Sequence, residues 1–326
     1  LGADILRLWV AATDTSGEMS ISDEILKRNA DAYRRIRNTL RFLLANLNGF
    51  EPAQHRVDKD ELLALDRWVV GKALDLQTEL QELYDGYQFH SAIQKIHHFC
   101  SESLGGFYLD IIKDRQYTTQ SDSLARRSCQ SAMYLVLEAM TRWIAPVLSF
   151  TADEVWENLP GKHDDMGVFL TTWYDGLFEY QNKAIKDSSW DMLLVIRQQT
   201  SAALEVLRQD GKIGSALDAE VTIYCDDEIY AALQAISEEL RFILITSEAT
   251  LAKLADAPAD SKILQLKDND ERLSGQFTLL TRASEHTKCV RCWHLRVDVG
   301  THSAHPELCG RCVDNIEGDG ENRQYA

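Results

Sequence analysis

Four cysteines near the end of the chain have the types and spacing of a metal site. Cys289 and Cys292 form one CxxC pair, Cys309 and Cys312 form a second, and 16 residues separate the two pairs. Zn²⁺ prefers four soft ligands in a tetrahedron, and one CxxC turn supplies two of them. Four thiolates leave no coordination position for substrate or water. The spacing therefore predicts a structural zinc site rather than a catalytic one.

Two other uses of CxxC pairs are redox chemistry and disulfide bonding. A redox CxxC normally opens a helix in a βαβ context, which the flanking sequence lacks. Secreted disulfide frameworks are short and dense in cysteine, whereas this chain has 326 residues and seven cysteines. Nearby histidines could replace a thiolate, although four cysteines already complete the shell; they are His286, His294, His302 and His305.

An aromatic residue and several arginines accompany the cysteines. Trp293 follows Cys292 directly, and Arg296 lies three residues further on. An aromatic ring beside arginines on a rigid turn suits stacking on an unpaired base and pairing with phosphate. The alternative is that Trp293 covers the metal as a small hydrophobic core while the arginines are solvated. The residues alone leave both interpretations open.

A second basic element lies some 250 residues upstream. The segment AYRRIRNTLRFLLANLNGF (32–50) holds Arg34, Arg35, Arg37 and Arg41 and contains no acidic residue. Arg34, Arg37 and Arg41 follow i, i+3, i+7 spacing and so form one ridge of a helix. The planar guanidinium suits phosphates and base edges. A solvated face paired with carboxylates of neighbouring helices is an equally compatible interpretation.

The overall composition limits the partners. The net charge of −17 argues against nonspecific binding to nucleic acid, and we expect no DNA partner, although a local basic patch stays possible. The content of 45% hydrophobic and 26% charged residues is typical of soluble globular proteins. No apolar run of membrane-spanning length and no signal peptide occur, which predicts a cytoplasmic protein without a membrane partner.

The elements that must position these residues are mostly helical. Apolar periodicity predicts long helices near 21–50, 58–84, 89–104 and 121–143, and a short one in SFTADEVWENLPG with Thr151 as its N-cap. They predict an antiparallel helical bundle. A helix near 190–208 and strand-like segments at 219–225, 241–249 and 275–283 predict a small α/β domain before the cysteine tail.

Motifs that carry catalysis are missing. The chain contains no nucleophile elbow, P-loop, GxGxxG or HExxH sequence, and no convincing acid–base pair. We therefore predict no catalytic residue. The chain starts at Leu1 without an initiator Met, and we expect it to be part of a longer protein.

Several segments, in this order, resemble one family. GADILRLWVAATDTSGEMSIS, RRIRNTLRFLLANLNGF, LDRW, FYLDIIKDRQY, APVLSFTADEVW and KIGSALDAEV resemble the C-terminal half of bacterial isoleucyl-tRNA synthetases, which are class I aminoacyl-tRNA synthetases. KCVRCWH…ELCGRC resembles their C-terminal zinc module. The resemblance covers essentially the whole chain.

The resemblance implies four parts and a mainly α fold: a class I helical anticodon-binding domain, a small α/β domain and a four-cysteine zinc knuckle. These are the end of the stem-contact fold at 1–20, the anticodon-binding domain at 21–187, the α/β junction domain at 188–284 and the zinc tail at 285–326.

The resemblance also implies a function. The chain would recognise the anticodon region of the tRNA for isoleucine through Arg34, Arg35, Arg37, Arg41, Trp293 and Arg296. The catalytic and editing domains, with ATP and magnesium, would lie upstream, so the chain itself is expected to be non-catalytic. A monomer is expected. The alternative function is a zinc-ribbon scaffold that binds a protein partner without tRNA specificity.

Overall fold

The structure is a computed structural model, and it describes residues 2–15, 17–161, 167–267 and 273–326. Small parts of the predicted helical domain (162–166) and of the predicted α/β domain (268–272) lie outside these residues. Within the described ranges, no helix is both long and apolar enough to cross a membrane.

The chain folds as two compact units. Leu1–Asp110 and Arg127–Tyr180 form the helical unit, and Ile111–Arg126 and Gln181–Ala326 form the mixed unit. The mixed unit thus includes a short segment from the middle of the predicted anticodon-binding domain. The four domain boundaries of the sequence analysis stay predictions.

Helices make up the helical unit and part of the mixed unit. In the described residues the α-helices are α1 (Ala3–Ala12), α2 (Asp23–Asn46), α3 (Pro52–His55), α4 (Ala64–Asp85), α5 (Phe89–His98), α6 (Leu109–Ile111), α7 (Lys113–Thr118), α8 (Leu124–Ile144), α9 (Ser149–Asn158), α10 (Asp187–Gln209), α11 (Asp227–Leu233), α12 (Leu240–Leu244) and α13 (Gly310–Glu317). A π-helical segment at Phe99–Tyr108 continues α5 toward α6.

Helix α2 forms where the sequence predicts it. The Ser22 hydroxyl accepts a hydrogen bond from the backbone N–H of Ile25 at 3.2 Å, which caps the N-terminus. Ile36, Leu40 and Leu43 are fully buried on one face. Because these residues follow the 3.6-residue period, the intervening arginines project from the rest of the surface.

Buried polar groups join the helices of the helical unit. The Gln77 side chain accepts from Trp143 Nε1 at 2.9 Å and donates to the backbone oxygen of Tyr174 at 2.7 Å. The fully buried Asp66 carboxylate accepts from the hydroxyls of Tyr108 (2.8 Å) and Ser128. Since a buried polar group is costly without partners, these bonds fix α4 against α8.

The mixed unit contains a four-stranded sheet. Its strands are β1 (Ala219–Cys225), β2 (Glu248–Lys253), β3 (Leu264–Gln265) and β4 (Gln276–Ala283), in the order β2-β1-β4-β3. β1 is parallel to β2 and antiparallel to β4, and β3 is antiparallel to β4. A separate two-stranded ribbon, β5 (Thr287–Lys288) and β6 (Leu295–Arg296), belongs to the cysteine tail.

The predicted strand at 241–249 is largely wrong. Leu240–Leu244 is helical, and Ile245 ends the helix with a left-handed φ of 56°. The strand begins at Glu248. A short apolar run has no periodicity that distinguishes a buried helix from a buried strand. Because β2 runs parallel to β1, the chain has to cross over between them, and residues 240–244 form part of that crossover as a helix.

The predicted N-cap at Thr151 is also wrong. Helix α9 begins at Ser149, and Thr151 is buried within it. Its backbone N–H and hydroxyl both donate to Asp4 Oδ2, at 2.8 and 2.6 Å. The acceptor for the free N–H groups of α9 therefore comes from α1, a contact that no local sequence pattern encodes.

The fold class is confirmed: the chain is mainly helical, with a small sheet and a cluster of the four cysteines.

Gly71 in α4 gives a test of the packing in the helical unit. A Cβ at this position would lie 2.9 Å from the Cβ and 3.0 Å from the backbone nitrogen of Tyr180. Helix propensity alone predicts that Gly71→Ala stabilises by about 1 kcal/mol. We expect instead a net loss of about 1 to 3 kcal/mol, because Tyr180 presents its backbone to the new methyl group.

Urea unfolding followed by the helical circular dichroism signal measures this change. Gly17→Ala is the control, since no atom lies within 4 Å of its added Cβ. A Gly71→Ala variant as stable as wild type would show that the helix and Tyr180 separate readily.

Candidate metal centre and nucleic-acid interface

The four cysteines come together as one cluster in the mixed unit. All four are buried, and their sulfur atoms lie within 4.8 Å of one another. The Sγ atoms of Cys292 and Cys309 are 3.7 Å apart. A tetrahedral site with Zn–S bonds of 2.3 Å requires S···S distances of about 3.8 Å. The donor set and the spacing therefore fit structural zinc with four thiolate ligands.

Backbone hydrogen bonds shape the first CxxC turn between β5 and β6. The N–H of Cys289 donates to the oxygen of His294, and the N–H of Trp293 donates to the oxygen of Cys289, both at 2.9 Å. Trp293 adopts a left-handed φ of 67°. This conformation is unfavourable for a bulky residue, and it persists where the surrounding structure dictates it.

The second CxxC pair opens helix α13. Cys309 is the N-cap residue, and its N–H donates to Cys289 Sγ at 3.4 Å. The N–H of Gly310 donates to Asp298 Oδ2 at 2.8 Å, and a Cβ on Gly310 would lie 2.9 Å from that oxygen. Gly310 does not have a positive φ. Its lack of a Cβ instead allows the close approach of the Asp298 carboxylate.

Two of the histidines near the cysteines have partners outside the cysteine cluster. His294 is buried, lies 3.3 Å from Arg241 through Nδ1, and has its ring 5.7 Å from that of Phe242. His305 Nε2 lies 2.7 Å from a carboxylate oxygen of Glu317. Among the described residues, the candidate metal cluster consists of the four cysteines alone.

Trp293 is not among the buried and partly buried residues of the cysteine cluster. Val299 and Leu308 are the partly buried apolar residues packed against the cysteines. Trp293 is 61% exposed. Most of the ring is thus open to solvent and available to a partner, and the choice between a lid over the metal and a stacking ring stays a prediction.

Arg311, between the second pair of cysteines, is held in a buried ion-pair network. Its guanidinium donates to both Asp114 oxygens at 2.7 and 2.9 Å and to Glu321 at 3.0 Å. Arg323 donates to the same Asp114 at 2.5 Å and to Glu321 at 2.8 Å. Asp114 thereby ties α7 to the cysteine tail and to the last residues of the chain.

An aromatic ring lies at the centre of this network. The guanidinium carbons of Arg323, Arg241 and Arg311 lie 3.2, 4.2 and 5.1 Å from the ring centroid of Phe242. Cations near an aromatic face are attracted by its quadrupole. Burial and the neighbouring arginines lower the pKa of Arg241 to about 10.

The charge balance explains the state of Asp114. Burial alone would raise the pKa of Asp114, but the charges of Arg311 and Arg323 outweigh burial and hold the pKa well below its usual range. The carboxylate is therefore ionised at neutral pH and compensates two buried cations.

The six predicted RNA-contacting residues differ in their availability. Arg296 is the most restricted: it pairs with Glu248 and donates to the backbone oxygen of Ser247 at 3.2 Å. Arg34 pairs with Asp31 on the exposed surface of α2. Arg35 and Arg41 are exposed, and neither has a side-chain partner among the described residues.

Arg37 binds Glu154 of α9. Its Nη2 donates to both carboxylate oxygens at 2.9 Å, and these bonds raise the pKa of Arg37. Both side chains keep solvent contact, so the pair contributes at most about 1 kcal/mol to stability. Arg35 lies on another part of the surface, near His97. Burial is the main cause that lowers the pKa of His97, and the charge of Arg35 lowers it further.

A groove of about 660 Å³ runs between α2 and α9 in the helical unit. Arg37 and Arg41 line it with Glu154, and its half-buried apolar lining includes Phe42 and Leu44. The ridge predicted from spacing thus borders a concave surface. Arg34 and Arg35 are not among the lining residues.

Several residues that organise these sites were not predicted. Asp114, Glu321 and Phe242 meet Arg311 only in the folded mixed unit, and Glu154 meets Arg37 only in the helical unit. Their separations in sequence leave no local signal.

Two known family models match parts of the chain. Residues 66–223 match the model of the anticodon-binding domain of tRNA ligases. Residues 288–315 match the model of a zinc finger found in FPG and IleRS. With the four-cysteine cluster, the second match identifies a structural zinc site.

The whole chain is similar to part of longer proteins. It is 56% identical over 326 residues to an isoleucine–tRNA ligase of Methylococcus capsulatus and covers 34% of that protein. It is 55% identical to one of Alkalilimnicola ehrlichii and 56% identical to one of Idiomarina loihiensis, each over 327 aligned residues and 34% of the relative. The chain thus spans about a third of the length of these curated relatives.

Substitution of a zinc ligand tests the metal site. Cys309→Ser should lower the bound zinc well below one equivalent and expose the tail to protease, because zinc binding supplies folding energy to such small modules. Metal analysis and limited proteolysis measure the two effects. Cys225→Ser, a buried thiol outside the cluster, is the control. Full zinc retention in Cys309→Ser would mean that another residue is a ligand.

Asp114→Asn tests the ion-pair network. Removing the negative charge leaves the buried cations Arg311 and Arg323 with Glu321 as their remaining carboxylate partner. The free energy needed to open α13 should therefore fall by about 3 kcal/mol at pH 7. Hydrogen exchange of the α13 amides measures it. Asp319→Asn, at an exposed acid nearby, should change little.

The same contribution depends on pH with a defined sign. The folded pKa of Asp114 lies below its unfolded value, so its stabilisation is complete above about pH 4 and is lost as the pH falls through the folded pKa. The difference between wild type and Asp114→Asn should therefore shrink at acid pH. A difference that stayed constant would assign the loss to packing rather than charge.

Proposed function

We propose that the protein recognises the tRNA for isoleucine at its anticodon region. The chain is similar along its whole length to the C-terminal part of bacterial isoleucine–tRNA ligases, which supports this proposal. The protein recognises this tRNA as part of a longer enzyme that joins isoleucine to it with ATP. ATP and magnesium belong to the catalytic part of that enzyme. The chain described here contributes binding and orientation of the RNA.

The exposed arginines of α2 carry the proposal. Arg41 borders a groove in the same compact unit as most of the anticodon-binding match, and no described residue neutralises it. Guanidinium groups bind phosphates and base edges, and a local cationic ridge is effective even in a chain of net charge −17. The remaining acidic surface weakens nonspecific adsorption of RNA.

Trp293 supports the proposal from the zinc module. Its indole is 61% exposed on a turn fixed by the cysteines, and its left-handed backbone is strained. An exposed aromatic ring on a rigid turn suits stacking on an unpaired base. We assign Trp293 a stacking role, and the zinc the role of holding the turn. Arg296 is the weakest assignment because Glu248 occupies it.

A zinc-ribbon scaffold that binds a protein is the alternative. It predicts no difference between tRNA species. We further propose a monomer that acts in the cytoplasm, where its tRNA is found.

Gel-shift titrations of the full chain test the proposed function. The probes are the tRNA for isoleucine and the tRNA for valine, each at several salt concentrations. We expect a clear preference for the isoleucine tRNA. Equal binding, or none, would contradict tRNA recognition and favour the scaffold.

Two variants in this assay test the assigned residues. Arg41→Gln should weaken binding and flatten the salt dependence by about 0.7 to 0.9 in log–log slope, the value for one lost phosphate contact. Trp293→Ala should weaken binding by about tenfold with little change in slope, since stacking is not ionic.

Each variant has a matched control. Arg28→Gln removes an exposed arginine of the same helix, paired with Glu24. Tyr117→Ala removes an aromatic ring of the mixed unit that is 60% exposed, close to the 61% of Trp293. Effects no larger than those of the controls would remove Arg41 or Trp293 from the interface.

A further inference from the structure

The groove between α2 and α9 holds an unusual arrangement of charges. Arg37 and Arg41 line it with Glu154, which is the only carboxylate among its described lining residues. Glu154 lies against Arg37 rather than Arg41. The groove therefore holds a cationic side chain, Arg41, one helical turn from a neutral ion pair.

The ion pair leaves hydrogen-bonding capacity unused. A single nitrogen, Nη2 of Arg37, donates to both oxygens of Glu154. Arg37 also interacts with Tyr33, but a guanidinium has five N–H donors, so donors remain beyond those used by Glu154 and Tyr33, and the carboxylate keeps free lone pairs. The pair thus presents donors and acceptors side by side.

A phosphate matches only half of this pair. It offers acceptors to Arg37, but its charge is repelled by Glu154 at the same place. The edge of a nucleobase offers an acceptor and a donor next to each other, and so satisfies both groups. Phe42 and Leu44, half-buried apolar residues that line the groove, suit the face of such a base.

We propose that Glu154 is a specificity-determining residue: it screens Arg37 from phosphate, so that the Arg37–Glu154 pair accepts the edge of an unpaired nucleobase while Arg41 binds the backbone. This inference rests on the proposed tRNA recognition and names the division of labour within its groove. Glu154 lowers binding to RNA that offers phosphate alone, and discrimination between tRNAs increases as a result.

The isosteric substitution Glu154→Gln, which removes the carboxylate charge, tests the inference in the full chain. Without the carboxylate, Arg37 becomes available to any phosphate. Binding of the valine tRNA and of a uridylate homopolymer should strengthen by about fivefold at low salt, with a salt slope steeper by about 0.7, as for one added phosphate contact on a single strand. Binding of the isoleucine tRNA should change less, so the preference narrows.

Glu157→Gln is the matched control. Glu157 lies one turn further along α9, is exposed and does not line the groove. Its substitution removes the same charge and should leave both slopes and the preference unchanged. In an Arg37→Gln background, Glu154→Gln should have no effect on the homopolymer, because the screened cation is missing.

The outcomes separate the inference from the proposed function. If wild type prefers the isoleucine tRNA but Glu154→Gln behaves like Glu157→Gln, the inference is overturned and tRNA recognition stands. A gain that persists without Arg37 also overturns it, since net charge then explains the effect. If wild type shows no preference, both proposals fail together.

Discussion

The mixed unit depends on one buried carboxylate. Asp114 balances two arginines, Arg311 beside the zinc ligands and Arg323 near the last residue. Buried guanidinium groups are costly without a countercharge, so the tail packs where that charge lies. Zinc closes the CxxC turns, but the ion pairs set where the closed turns sit on α7. Metal binding and tail position are thereby joined in the same helix, α13.

The helical unit uses charge differently, at the surface. The arginines of α2 keep solvent contact, and their pairs are weak enough to exchange for a ligand. In the mixed unit Arg311 and Arg323 are largely buried and held by carboxylates. Arginine thus stabilises structure at Arg311 and Arg323 and is available for binding on α2, and burial accounts for the difference.

Local patterns predicted much of the fold. Helix α2 has a cap and an apolar period within its own sequence, and β1 is β-branched and alternating, so both lie where predicted. Segment 241–249 has neither signal, and its first half became helix α12. The cap of α9 was misplaced because its acceptor, Asp4, is far away in the sequence.

For the candidate sites, the sequence by itself determined the ligand set and the arginine ridge. CxxC spacing and helical periodicity are local geometry, and the structure keeps both. Only the tertiary structure decided that Glu154 faces Arg37, that Asp114 holds Arg311, and that Trp293 is exposed. These are contacts or exposures set by packing between distant segments. The energy of a single charge pair is small and depends on burial, so the spacing of residues along the chain does not reveal which charges will pair.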